Sequence, residues 1–185
     1  MSANLDLVRS IYAEPIRLEP YDPSWPSRYE EERAVLEAAI GEWAVGGVHH
    51  IGSTAIPGME AKPIIDILVG VRDLASSRAC FDRITTVGYV YAPYRTEEMH
   101  WFCKPGPRRR THHLHLVPAD SSRFRHELAF RNYLRNHPEA AQGYVALKKE
   151  LAQKFEHDRE AYTSGKGDFV RAVLDRALAD LGLEG

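Results

Sequence analysis

The stretch Pro-Ile-Ile-Asp-Ile-Leu-Val-Gly-Val, residues 63–71, limits the fold more than any other part of the chain. It is nearly all aliphatic and rich in β-branched residues, as expected of a strand buried on both faces. One carboxylate, Asp66, sits in its middle. A carboxylate on a buried strand is costly unless it is paired or bound to a metal. Alternation sets Asp66 on one face with Ile64 and Leu68, and Ile65, Ile67 and Val69 on the other.

The segments around this strand complete an α/β pattern. A short alternating piece with Ile16, Leu18 and Tyr21 ends at Asp-Pro-Ser-Trp-Pro, which opens a helix over Trp25–Ile40. A strand over 44–51 leads into a Gly-Ser loop. Residues 73–87 read as a helix with Asp73 at its N-cap and Gly88 past its end. Three strand-like pieces follow (89–94, 100–104 and 111–117), the last two joined by a basic hairpin loop. From Ser121 the pattern is helical, with helices over 122–135, 139–155 and 168–183, the last capped by Asp168. The chain therefore reads as one domain, with a sheet-containing body over about 14–118 and a helical section over about 121–183.

Gly52 and Ser53 leave the 44–51 strand. Glycine lets backbone N–H groups approach a phosphate, and the seryl hydroxyl, with Thr54 beside it, adds donors. The chain has nine histidines, unevenly spread. His113 and His115 are two residues apart on one strand, so they share a face with Thr111. Two imidazoles so placed can reach one metal ion, and nitrogen donors favour Zn²⁺, Mn²⁺ or Fe²⁺ over Mg²⁺. The other reading is hydrogen bonding across the sheet. Cationic and phenolic groups suited to phosphate stand at Lys62, Arg110, Arg131, Tyr162 and Lys166. The segment Ser164-Gly-Lys-Gly-Asp168 lacks the spacing and preceding strand of a Walker A loop.

Composition narrows the partners. A net charge of −2, with 27% charged residues, gives no overall pull toward nucleic acid or membrane. The one dense basic run, Lys104 to Arg110, reads as a solvated hairpin rim. Cys80 and Cys103 fit neither a disulfide framework nor a CxxC pair, and read as buried residues of a reducing compartment. No signal sequence and no membrane-length apolar stretch is evident, which predicts a cytoplasmic protein.

Five segments carry a family likeness: "PYDPSWP" (20–26), "HIGSTAIPGMEAKPIIDILVGV" (50–71), "RTHHLHLV" (110–117), "LAFRNYLRNHP" (128–138) and "YTSGKGDFV" (162–170). Together they resemble the GrpB-like family of the nucleotidyltransferase superfamily. The resemblance implies a mixed β-sheet flanked by helices. It also implies a Gly-Ser pair for phosphates, followed by two carboxylates on the next strand and a third on a later one, which together hold divalent ions. Gly52 and Ser53 match the pair, and Asp66 matches the second carboxylate. Ile64 stands where the first belongs, and a histidine of the 111–117 strand stands where the third belongs. Three readings follow. The first is metal-dependent transfer of a nucleotidyl group from an NTP to an acceptor hydroxyl, with Mg, Mn or Zn bound and Asp66 central. The second is a non-catalytic module for a nucleotide or phosphorylated small molecule. The third is a His/Asp metal-dependent phosphoester hydrolase.

Overall fold

The computed structural model describes residues 15–106 and 109–182. Helix α1 (Trp25–Ile40) starts at Trp25-Pro26, where proline's missing N–H costs nothing. A 3₁₀ turn and the Gly46-Gly47 corner follow, so strand β1 (Val48–Ile51) is shorter than its apolar pattern. Strand β2 (Ile65–Val71) is flanked on both sides, antiparallel to β1 and parallel to β5 (Arg109–Pro118). Strands β4 (His100–Gly106) and β3 (Val90–Tyr91) complete a five-stranded mixed sheet in the order β1-β2-β5-β4-β3. The expected α/β architecture is the observed one.

Side-chain chemistry explains where the elements depart from simple periodicity. The helix expected over 73–87 is broken into α2 (Leu74–Ser77), a 3₁₀ turn and α3 (Phe81–Thr86). Ser77 Oγ donates to the Leu74 carbonyl and Cys80 Sγ to the Ser77 carbonyl, so side chains compete for helical acceptors. Asp73 caps the start, its carboxylate accepting from the Ser76 N–H. The strand expected over 89–94 stops at Tyr91, just short of Pro93, which has no N–H to offer a ladder. In the basic hairpin, residues 107–108 lie outside the described residues, and Gly106 pairs with Arg109 across the turn.

One face of the sheet is a dry aliphatic layer. Ile65, Ile67, Val69, Phe102, Leu114 and Leu116 pack there with Leu36 and Ile40 of α1. The other face carries Asp66, His113 and His115, which the C-terminal helices approach. These are α4 (Ser122–Asn136), α5 (Pro138–Lys154), α6 (Arg159–Ser164) and α7 (Gly167–Asp180). Helix α6 was not apparent in the sequence, since six residues are too few to display a period. Lys166, not Asp168, occupies the N-cap of α7, and Asp168 lies in its first turn. The expected break near His137 is present, with α4 ending at Asn136 and α5 opening on Pro138. Among the described residues no helix is long and apolar enough to cross a membrane.

Candidate functional site

The site begins with strand register. β2 and β5 run parallel with Asp66 opposite His113 and Leu68 opposite His115, so the period of two brings the carboxylate and both imidazoles to one face. Asp66 Oδ1 accepts from His113 Nδ1 at 2.8 Å. Burial works to raise the Asp66 pKa, but the His113 hydrogen bond and the neighbouring imidazoles outweigh it and hold the carboxyl below its ordinary value. With Nδ1 committed to the carboxylate, Nε2 is the His113 nitrogen left to meet a ligand. That Nε2 and both ring nitrogens of His115 are buried without a hydrogen-bond partner among the described residues. Burial drives the His115 pKa down to about 3, so its ring is neutral. One ligand atom each from Asp66, His113 and His115 lies within 4.8 Å of the others, which makes these three a set that could hold one metal ion.

Gly52 is what lets Asp66 sit there. Its φ of +69° and ψ of −173° belong to a region that glycine alone occupies readily, and a Cβ built on it would fall 2.4 Å from Asp66 Oδ2. Gly52 therefore makes room for the carboxylate.

A cavity of about 170 Å³ opens beside this group. Ser53, Lys62, Asp66, His113, Tyr162 and Lys166 are among its walls, so six of the residues singled out in the sequence meet in one place. Lys62 Nζ lies 4.9 Å and Lys166 Nζ 4.5 Å from the centre of the Tyr162 ring. Burial lowers the Lys166 pKa to about 8, against the opposing pull of Asp66. His115 lines a second cavity, of about 310 Å³, which shares His113 with the first.

Three expected phosphate ligands stand differently. Thr54 borders the first cavity, but its hydroxyl donates to the Ile64 carbonyl at 3.1 Å and also meets His50 Nε2 at 3.0 Å. It therefore has no hydrogen left for a phosphate. Arg131 lines neither cavity, because its guanidinium reaches back to the His50 carbonyl at 2.9 Å and to Asn132. Arg110 lies where the β4–β5 register shifts, paired with Pro105, and also lines neither cavity.

The GrpB protein family model matches residues 15–176. The chain belongs to the GrpB family. The crystal structure of conserved protein GrpB from Enterococcus faecalis superposes with a TM-score of 0.80 at 35% identity, covering 89% of this chain and 99% of that one. A UPF0157 protein of Pseudomonas aeruginosa is 39% identical over 170 residues, 89% of this chain and 68% of that protein. The glutamate-rich protein GrpB of Alkalihalophilus pseudofirmus is 35% identical over 160 residues, 84% of this chain and 91% of that protein. The family is nucleotidyltransferase-like, as the five matching segments implied.

Sequence reasoning missed Lys148 in this GrpB-family chain. It is 2% exposed on α5, and its ammonium donates to Ser53 Oγ at 3.0 Å and to the Glu60 carbonyl. Burial, helped by the charge of Lys166, lowers its pKa to about 7. The available signal was positional. Lys148 follows Tyr144 by four residues and precedes Leu151 by three, so a cation sits on the apolar stripe of its helix. Arg159 and Thr163, on α6, were missed with that helix, and both line both cavities.

Proposed function

We propose that this cleft binds a nucleoside triphosphate, or a closely related phosphorylated small molecule, together with a divalent ion, and passes a nucleotidyl group to an acceptor hydroxyl. One observation carries the reading: the cavity walled by Asp66 and His113 also holds Lys62, Lys148 and Lys166, with Ser53 among them. Among the described residues that line it, three lysines and Arg159 stand with one carboxylate, an arrangement suited to a ligand of several negative charges. The unmet nitrogens of His113 and His115 fit a cation that accepts nitrogen donors, so Mn²⁺ or Zn²⁺ suits the set better than Mg²⁺. Such an ion would lie with Asp66, His113 and His115 and would supply Lewis-acid stabilisation of phosphate charge.

In the transfer the acceptor oxygen bonds to the α-phosphorus as the bond from that phosphorus to the bridging oxygen breaks. Pyrophosphate leaves, and the hydroxyl proton passes to solvent. Lys148 and Lys166 offset charge on the departing phosphates, and Ser53 fixes their position. Ile64, which lines the cavity where the superfamily pattern has a carboxylate, favours a second reading, a pocket that binds the nucleotide without transfer.

Incubation with labelled NTPs, with and without Mn²⁺ or Zn²⁺, separates the two. Transfer of label with release of pyrophosphate is the expected result, and tight binding without product would establish the second reading. Asp66→Asn should abolish turnover and any metal-induced rise in melting temperature. Lys166→Ala should weaken nucleotide affinity by about tenfold or more without lowering stability, in line with the roughly 1.5–3 kcal/mol of a charged hydrogen bond. Simple phosphate release in place of transfer would point to hydrolysis.

A further inference from the structure

The second cavity, of about 310 Å³, lies on the β4 side of the histidines and has a different character from the first. Its floor is apolar: Ala92, Met99 and Trp101 are each 5% exposed or less. The Trp101 ring stands 5.0 Å from the ring of His113. At the rim Tyr94 is 43% exposed, and the Arg95 guanidinium lies 5.5 Å from its ring centre. Arg95 holds a φ of +48°, a left-handed conformation that a long side chain adopts only when its surroundings impose it. An ion-pair chain through Glu98 ties Arg95 to Arg123, another wall of this cavity.

The two cavities share His113, Arg159 and Thr163. They therefore adjoin, with His113 between them, and can be treated as a lysine end and a tryptophan end. The lysine end, about 170 Å³, is smaller than the roughly 300–1,000 Å³ typical of small-molecule sites, whereas the tryptophan end, about 310 Å³, stands at the lower limit of that range.

We infer that the tryptophan end takes the base of the nucleotide whose phosphates occupy the lysine end, so that one ligand lies lengthwise through the cleft. This rests on the phosphate reading above and extends it from a phosphorylated ligand to one bearing a planar ring. Indole, phenol and guanidinium surfaces recognise the face of such a ring. A bare phosphorylated sugar could hydrogen-bond to Glu160, Thr163 and Ser164, but it offers no planar face to Trp101 and Tyr94. Recognition through ring faces is tolerant of base identity, so the four common nucleotides should bind within a few-fold of one another.

The test compares inorganic tripolyphosphate with ATP by equilibrium binding in excess Mn²⁺, on the full chain and on Trp101→Leu, Tyr94→Ala and Lys166→Ala. ATP should bind about tenfold tighter than tripolyphosphate, as base–aromatic stacking provides. Trp101→Leu and Tyr94→Ala should reduce that advantage and leave tripolyphosphate affinity alone, whereas Lys166→Ala should weaken both ligands together. Tyr94 is exposed, so its variant keeps the test open if the buried tryptophan proves necessary for folding. Equal affinity of the wild type for the two ligands overturns the base site while leaving the phosphate site intact. So does a Tyr94→Ala variant that weakens neither or both. Failure of the wild type to bind either ligand overturns the phosphate reading and the base site with it.

Discussion

Four successive residues of β5, His112 to His115, end in different chemistry, and the contrast separates the two faces of the sheet. His112 lies on the face covered by α1. There its Nδ1 meets the Thr111 hydroxyl at 2.9 Å, and its Nε2 stands 4.0 Å from Glu32, itself paired with Lys104 at 2.9 Å. Leu114, two residues on, is fully buried in the aliphatic layer of the same face. His113 and His115 face the other way, and three of their four ring nitrogens find no partner among the described residues. A buried polar group with its hydrogen bonds made belongs to the architecture. A set of buried groups left unmet side by side calls for an explanation, and the proposed metal site is one. The α1 face is the more closed one, although Trp25 Nε1 and Tyr89 Oη within it also lack a hydrogen-bond partner among the described residues. The open face is set apart because its unmet imidazoles group with a carboxylate within 4.8 Å.

Removing a ring from the closed face should have the largest effect. Phe102→Ala, at a fully buried position in the aliphatic layer, should cost about 3–5 kcal/mol in urea unfolding. The folded fraction should bind tripolyphosphate as before. A parallel loss of affinity would mean that the two faces are not separable.

A smaller change is expected at the junction of loop and site. Gly52→Ala imposes an unfavourable backbone conformation, worth about 1–3 kcal/mol, and pushes a methyl group into the Asp66 carboxylate. It should also erase any stabilisation by Mn²⁺ or Zn²⁺ in thermal melts. A variant that lost stability but kept its full metal response would show that Asp66 does not govern the open face.

A third effect is one of pH, and its sign differs between stability and binding. Burial lowers the folded-state pKa of Lys148 to about 7 and of Lys166 to about 8, whereas unfolded lysines keep their protons to about pH 10.4. Between those limits the unfolded chain binds more protons, so these groups make the free protein more stable as pH rises from 7 toward 10. Polyphosphate binding should weaken over the same interval as the ammonium charges are lost. Melts with and without tripolyphosphate at pH 6.5 and 9 should therefore converge at the higher pH. Lys148→Met should flatten both trends, and an unchanged pH slope in that variant would remove Lys148 from the account.

The sequence carried the sheet face of the site well because a strand's period of two is strict. Once β2 and β5 were recognised, Asp66, His113 and His115 had to alternate with aliphatics, and their meeting required only that the strands be neighbours. The helical contributions were harder to read. Lys148 was hidden by the habit of reading a helix stripe for its apolar members alone. Arg131 was assigned to a ligand because a cation's type says nothing about which way its helix packs, and its partner proved to be a backbone carbonyl in β1. The engagement of Thr54 was hidden for a similar reason, since the Ile64 carbonyl that accepts from it lies ten residues along the chain.

The arginines of α4 have a consequence for descent. Arg131 bonds the His50 carbonyl and Arg135 bonds that of Ala55, on either side of the Gly-Ser turn. Ile56 and Met59, just past that turn, are buried in one cluster with Leu134 of α4, Tyr144 of α5 and Val173 of α7. The turn is thus shaped from behind by parts of the chain made eighty residues later. A sheet-bearing half taken from one relative and a helical half taken from another would meet across these carbonyls. Any residue at 50 or 55 offers a backbone carbonyl, so the helical half need only bring its arginines, and the match that must be kept is the packing of Ile56 and Met59 on Leu134, Tyr144 and Val173.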